Sequence, residues 1–210
     1  MSETVPMKCA RILCQLSAVL AILAAATGCQ RPAMQIRHSP ATKVQSVDLW
    51  VHTSVVEMGF VFSYPSSWTY SLKTAPDADE TNKGELIQIA NVSDPMSSTD
   101  WSLRVRVTVV SFRHARVRTL EQYIEIVKER FGAQLSDIKV DYDPNATIDS
   151  ERAVSLTART ERGEASQTLY MLVCKHNGKF YEVTSAVPTN NVAEYGPITT
   201  QIIQRIKFMR

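Results

Sequence analysis

The feature that most constrains the fold is a hairpin signal in the last third of the chain. Two apolar, β-branched runs, residues 168–175 and 180–187, are separated by a short segment that contains Asn177-Gly178. Asn-Gly is the strongest short hairpin signal, because both central residues of a type I′ turn need a positive φ. The sequence therefore predicts an antiparallel pair of strands here, and any fold of this chain has to include it.

Further strand signals lie before this hairpin. The run from Trp101 to Phe112 alternates apolar residues with Arg104, Arg106 and Thr108, which predicts one long strand with the arginines on one face. The other strand-like runs are rich in β-branched and aromatic residues and are bounded by turn-forming segments. They are residues 49–56, 59–64, 68–72, 85–92 and 153–160.

Two segments have the spacing of helices. In residues 119–131 the apolar positions recur every three or four residues, with Thr119 as N-cap, Gln122 at the capping-box position and Gly132 as C-cap. Residues 192–208 predict a closing helix, with Gly196-Pro197 as an alternative start. Strands around one helix, then a three-strand meander and a terminal helix, predict an α+β fold, with a mainly antiparallel β-sheet flanked by helices.

The chain begins like an export signal. Lys8 and Arg11 precede an apolar run of about a dozen residues, which ends at Gly28-Cys29 and is followed by polar residues. A membrane-spanning helix needs roughly 20 apolar residues, so the run predicts a signal peptide in preference to a lasting anchor. Met7 opens a more typical signal than Met1, and the mature chain is the same with either start.

Two cleavage sites fit this signal. Ala24-Ala25-Ala26 satisfies the A-x-A rule of ordinary signal peptidase, which would release a soluble exported chain. The segment Ala26-Thr27-Gly28-Cys29 resembles the lipobox of bacterial lipoproteins, although Ala26 replaces the usual Leu. This resemblance implies cleavage after Gly28, diacylglycerol on the Cys29 sulfur and an acylated new amino terminus, and we favour it. Residues 1–28 are then the lipoprotein signal peptide.

Residues 29–47 are predicted to be the lipidated cysteine and a flexible tether, because they are polar and lack an apolar period. A coil of this length holds a domain on the order of 20 to 25 Å from its lipid. Cys9 and Cys14 leave with the signal, so Cys174 is the one thiol that remains. Its apolar strand predicts a small core residue. Residues 48–210 are predicted to be the folded domain.

This domain resembles a known superfamily. The segments that carry the likeness are residues 60–68, the helix opening at 119–123, and the run from Tyr170 to Thr184 with the later segment 202–207. They are similar to the PsbP-like superfamily, which includes the extrinsic photosystem II protein, a nuclear Ran-binding factor and many bacterial lipoproteins. The resemblance implies an αβα sandwich and a binding or assembly role more than a catalytic one. Fold alone does not fix function.

No catalytic, metal or cofactor site is predicted. Residues 141–145 begin like an EF-hand loop, but Ala146 replaces the essential Gly and Arg152 replaces the closing Glu, which predicts a solvated turn. The four histidines lack metal-ligand spacing, and the sequence contains no nucleophile elbow and no glycine-rich phosphate loop. A net charge of +2 argues against a nucleic-acid partner.

A basic stripe is the candidate contact surface. It comprises Arg104, Arg106, Arg113, Arg116 and Arg118, with His114 among them. A solvated sheet face explains most such stripes, and the functional interpretation is contact with anionic lipid headgroups, envelope polysaccharide or an acidic protein patch.

Three functions stay open at this stage. The preferred one is a lipid-anchored binding or assembly module of the bacterial cell envelope. In a bacterium with two membranes, Gln30 rather than Asp after the cysteine resembles the sorting choice for the outer membrane, with the domain facing the periplasm. The others are an envelope enzyme with an unrecognised active site and a structural or stress-linked lipoprotein.

Overall fold

The computed structural model describes residues 49–76, 86–100, 103–114, 116–134, 140–159 and 166–210. The predicted signal peptide, Cys29 and the tether lie outside these ranges. The strands are β1 (Trp50–Val55), β2 (Phe60–Pro65), β3 (Thr69–Pro76), β4 (Leu86–Ser93), β5 (Arg106–Phe112), β6 (Val140–Asp143), β7 (Thr147–Ile148), β8 (Glu151–Arg159), β9 (Gln167–His176), β10 (Lys179–Pro188) and β11 (Lys207–Phe208). The α-helices are α1 (Leu120–Gln134) and α2 (Val192–Gln204).

The strands form two sheets in the described part of the chain. The large sheet has the order β3-β4-β5-β10-β9-β8-β6, with β7 paired to β8, and the small sheet has the order β1-β2-β11. Every pairing in both sheets is antiparallel. The predicted α+β class with a mainly antiparallel sheet is therefore confirmed, and its division into two sheets is an addition.

The large sheet is covered on both faces. Side chains alternate between the two faces along a strand, so on β5 Val107 and Val109 belong to one hydrophobic core while Val110 and Phe112 belong to another. The first core also contains aromatic residues of the small sheet and isoleucines of α2. The second contains Tyr123, Ile124 and Val127 of α1. The layers are thus α1, the large sheet, and then the small sheet with α2.

The Asn177-Gly178 hairpin is confirmed. Both residues have a positive φ, 47° and 76°, and they join β9 to β10 with Lys179 opposite His176. The predicted strand runs 168–175 and 180–187 lie inside β9 and β10. Because β10 also pairs with β5, this hairpin forms the centre of the large sheet.

Helix α1 begins as predicted and ends later than predicted. Thr119 Oγ1 accepts a hydrogen bond from the backbone N–H of Gln122 at 3.3 Å, and Gln122 Oε1 accepts one from the backbone N–H of Thr119 at 3.3 Å. This reciprocal pair is a capping box. The predicted C-cap at Gly132 is wrong, since the helix continues to Gln134.

Of the two starts left open for the closing helix, Val192 is correct and Gly196-Pro197 is wrong, and the predicted end at Phe208 is also wrong. Helix α2 contains Pro197 and stops at Gln204. The residue before a proline is disfavoured in the helical conformation partly because its Cβ clashes with the proline ring. Here that residue is Gly196, which has no Cβ, and this eases the placement of Pro197 inside the helix. After the helix, Ile206 and Phe208 are buried alternately in an extended segment, and the Met209 amide donates to the carbonyl of Gly59 at 2.9 Å.

The long strand predicted from residue 101 is also shorter in the structure. Residues 101–102 lie outside the described residues, residues 103–105 are not in a strand, and β5 starts only at Arg106. The segment before β5 packs locally, since Ser97 Oγ accepts a hydrogen bond from the backbone amide of Val105 at 3.0 Å. Strands β6 and β7 were not predicted. They flank the turn at residues 143–146, where the Asn145 amide donates to Asp143 Oδ1 at 2.8 Å.

Candidate contact surface

Cationic side chains lie at the end of the large sheet that carries the β9–β10 turn and the last residues of β5. Lys175 and Lys179 stand on either side of the Asn177-Gly178 turn. Lys179 Nζ donates to the carbonyl of Glu57 at 3.0 Å, which ties the β1–β2 turn to the hairpin. Lys175 Nζ donates to the carbonyl of Arg118, which ties the β5–α1 loop to the other side of the hairpin. Three loops distant in sequence are thereby brought together.

The β5–α1 loop supplies the arginines of this region. Arg113 follows Phe112, whose register partner is Phe180 beside Lys179. His114 Nδ1 accepts hydrogen bonds from the Arg116 amide at 3.3 Å and the Val117 amide at 3.1 Å, which fixes the turn of the loop. The three arginine side chains are exposed. We call the set of Arg113, Arg116, Arg118, Lys175 and Lys179 the basic end.

Three acidic residues near the basic end have cationic or histidine partners, whereas the exposed carboxylate of Glu57 lies within the region, next to Val56. Glu121 accepts a hydrogen bond from Arg152, Glu151 lies 2.9 Å from His176 Nδ1, and Asp149 lies 3.1 Å from Lys207 Nζ. Exposed pairs of this kind contribute little stability, about 0–1 kcal/mol. The pairs with Arg152 and Lys207 are electrically neutral, so the positive charge of the region comes from the five cations of the basic end and is reduced by Glu57.

An exposed apolar residue stands at the same end. Val56, at the tip of the β1–β2 turn, is 72% exposed, and its neighbour Glu57 is the residue held by Lys179. Lys175, Lys179 and Val56 were absent from the sequence-based candidates. The hairpin signal at Asn177-Gly178 already places the two lysines at one end of the sheet, but only the pairing of β10 with β5 adds the arginines to them.

The predicted continuous stripe does not form. Arg106 is only 6% exposed, and it lies on the face of β5 that also carries Val110 and Phe112, which α1 covers. Arg104 precedes β5 and is half-buried, with Nε donating to the carbonyl of Ser98 at 2.8 Å. Arg106 is the first residue of β5 and Arg104 precedes it, so both lie at the opposite end of the strand from Arg113. Including Arg104 and Arg106 in one exposed surface is therefore wrong.

Arg106 is part of a polar section within the second face of the sheet. It pairs in register with Ser93 and Ala186, and Thr108, two residues along, donates to Asn91 Oδ1 at 3.0 Å. Burial lowers the pKa of the Arg106 guanidinium from its ordinary value. A buried charge of this kind is costly unless neighbouring groups compensate it, so its role is in the folded core.

Two side chains with potentially nucleophilic atoms, Cys174 and Ser63, are buried within strands β9 and β2. Cys174 is 1% exposed, and burial raises the pKa of its thiol to about 12, so it keeps its proton at neutral pH. The thiolate is the reactive form of cysteine, so the predicted role as a core residue is confirmed. Ser63 Oγ lies 2.7 Å from His52 Nδ1, and the two are register partners across β1 and β2.

Two further properties concern the described residues as a whole. Among them, no group of three or more His, Cys, Asp or Glu side chains is placed to hold a metal ion. Neither α1 nor α2 has the length and apolar character that crossing a bilayer requires.

Comparisons with known proteins identify the fold. No protein-family model matches the sequence, and no curated protein does. The solution structure of cyanobacterial PsbP (CyanoP) from Synechocystis sp. PCC 6803 is similar, with a TM-score of 0.51 and 13% identity, over 81% of this chain and 98% of that one. LpqN of Mycobacterium tuberculosis, described as involved in cell envelope biogenesis, gives a TM-score of 0.45 and 9% identity, over 77% and 91%. The chain therefore has a PsbP-like α+β fold.

Proposed function

We propose that the protein is a lipid-anchored binding or assembly module of the bacterial cell envelope, without catalytic activity. Its basic end contacts an anionic surface. The observation that carries this proposal is the convergence of five cationic side chains, from the β5–α1 loop and the β9–β10 hairpin, on one end of the sheet. Clustered charge of one sign concentrates partners of the opposite sign and speeds their encounter.

The anchor is proposed from the N-terminal sequence. A basic start, an apolar run and Gly28-Cys29 precede a polar segment, and the first described strand begins at Trp50, just after that segment. Several acyl chains on one terminus hold a protein durably, whereas a single chain binds reversibly. In this proposal Cys29 carries the lipid, Gln30 favours the outer membrane, and the domain faces the periplasm.

The intact mass of the mature protein, extracted from bacterial membranes, tests the anchor. The expected mass is that of residues 29–210 plus acyl chains, and a Cys29→Ser variant should lose this species. An unmodified chain beginning at Thr27 would overturn the anchor and leave a soluble exported domain.

Crosslinking in intact envelopes tests the basic end. The double variant Arg116→Glu/Arg118→Glu should lose the crosslinked products of the wild type. The hydrogen bonds of the loop at these positions use the backbone groups of residues 116 and 118, so the substitutions leave them in place. The matched control, Lys73→Glu/Arg159→Glu, changes the charge equally on exposed positions of β3 and β8 and should keep the products. Equal crosslinking by both doubles would contradict the proposal.

A further inference from the structure

We infer that the basic end docks on an anionic phospholipid surface and that Val56 enters the boundary between headgroups and acyl chains. This inference rests on the proposed function and names the partner of the same site. The juxtaposition that supports it is an exposed aliphatic side chain on the turn that Lys179 holds, at the same end of the sheet as Lys175 and the arginines of the β5–α1 loop.

The position of Val56 is fixed by the contacts of its turn. The Lys179 side chain binds the carbonyl of Glu57, and the Tyr181 hydroxyl donates to the carbonyl of Met58 at 2.7 Å. The amide of Gly59 in turn donates to the carbonyl of Val55 at 2.9 Å. The turn is thus held on the end of β10, with Met58 fully buried and Val56 72% exposed. Val56 projects from a fixed base, so its exposure does not depend on a loosely held loop.

The composition of the basic end favours a bilayer over a protein partner. Binding sites for proteins are enriched in arginine and in aromatic residues that fill shaped pockets on the partner, whereas lysine is depleted there. The large hydrophobic residues exposed among the described residues are Leu49, Val56, Met96 and Tyr142, and of these Val56 stands at the basic end. A partner for this surface has to offer negative charge to the lysines and arginines and an apolar layer to the aliphatic side chain. An anionic bilayer offers both, in its headgroups and in its acyl chains.

The proposed tether allows this orientation. The chain enters the domain at Leu49, at the opposite end of β1 from Val56, and β1 has six residues, a length of about 20 Å. Residues 29–47 extended fully would span about 60 to 70 Å. The domain can therefore turn its basic end toward the bilayer that holds its lipid. Attachment by a short linker also gives an effective concentration on the order of millimolar, so a weak surface contact is populated.

A dye at position 56 tests the inference on the mature, membrane-extracted protein. A Val56→Cys variant is labelled with a polarity-sensitive fluorophore, while the native thiol Cys174 is buried. The labelled protein is reconstituted into phosphatidylcholine vesicles, into vesicles with 30% phosphatidylglycerol, and into native envelope membranes. We expect a blue shift in the phosphatidylglycerol vesicles, none in pure phosphatidylcholine, and reversal of the shift by 0.5 M salt.

Charge variants complete the test. Arg116→Glu/Arg118→Glu should lower the equilibrium constant for docking about 30-fold or more, because each cation near an anionic surface contributes roughly a factor of five. The control Lys73→Glu/Arg159→Glu should change it little. A dye that responds to native envelopes but not to phosphatidylglycerol vesicles would overturn the inference in favour of a protein or polysaccharide partner. If the dye shows no blue shift in any of the three membranes, while the protein keeps the mass of its acylated form, the docking is overturned but the anchor is not.

Discussion

The hydroxyl of Tyr123 on α1 donates a hydrogen bond to Oε1 of Glu182 on β10, inside the second hydrophobic core. Tyr123 is 1% exposed and Glu182 3%. The tyrosine ring also packs against Phe180 and Phe112, with ring centroids at 4.7 and 5.2 Å. A hydrogen bond therefore joins α1 to the central strand of the sheet. The aromatic rings around it bury apolar surface between the helix and the sheet.

Replacing Tyr123 with Phe should destabilise the protein by about 1–3 kcal/mol, because a buried carboxylate loses a hydrogen bond while the ring packing is kept. Urea denaturation measures this loss. The control is Tyr142→Phe, since Tyr142 is 44% exposed and should change the midpoint little. Equal effects of the two substitutions would show that the buried hydrogen bond contributes nothing.

Two arginines of the predicted stripe should behave differently on charge reversal. Arg106→Glu places a carboxylate at a buried position among groups arranged for a cation, and the cost should be at least about 3 kcal/mol, enough to unfold a marginal domain. Arg116→Glu, on an exposed loop, should stay within about 0.5 kcal/mol of the wild type. Thermal unfolding followed by circular dichroism separates these outcomes, and a stable Arg106→Glu variant would contradict the burial argument.

Gly178→Ala tests the hairpin turn through the backbone alone. A Cβ at position 178 would meet nothing within 4 Å, but φ is +76°, so the substitution should cost about 1 kcal/mol through strain. Asn177→Gly serves as the control, because glycine adopts the φ of 47° at that position freely. Urea midpoints of the two variants give the comparison, and a neutral Gly178→Ala would mean that the turn relaxes.

Stability should fall as the pH rises above about 9. Burial raises the pKa of the Cys174 thiol to about 12 and that of the Tyr181 hydroxyl to about 12. Between the ordinary pKa and the raised one, the unfolded chain releases a proton that the folded chain retains, so alkali favours unfolding by up to about 1.4 kcal/mol per pH unit for each group.

Urea denaturation at pH 7, 9 and 10.5 checks this dependence. A Cys174→Ala variant should show a shallower decline with pH than the wild type, whatever its stability at pH 7. Parallel declines in the two proteins would mean that the thiol does not contribute.

The fold was largely predictable because its signals are local. The I′ turn at Asn177-Gly178 and the capping box of Thr119 and Gln122 each depend on two or three adjacent residues, and both are present. The wrong boundaries have another cause. Gly132 lies inside α1 and Pro197 inside α2, although such residues more often mark helix ends, so tertiary packing overrides the local preference at both places.

The candidate site was predictable only in part. Alternation along residues 101–112 correctly put Arg106 on the other face from Val107, but it could not tell that α1 covers that face. The lysines of the basic end and Val56 join the arginines through pairings between strands far apart in the chain, such as β5 with β10. Contacts of this kind leave no pattern in either segment alone.

The small sheet joins the first described strands of the domain to the last one. Its third strand, β11, pairs Phe208 with Phe60, and the carbonyl of Gly59 accepts the amide of Met209. A chain that is synthesised from its amino terminus therefore presents the aromatic residues of β2 before the segment that completes their cover exists. Such long-range pairing slows folding, so loss of the last few residues should destabilise the first strands as well.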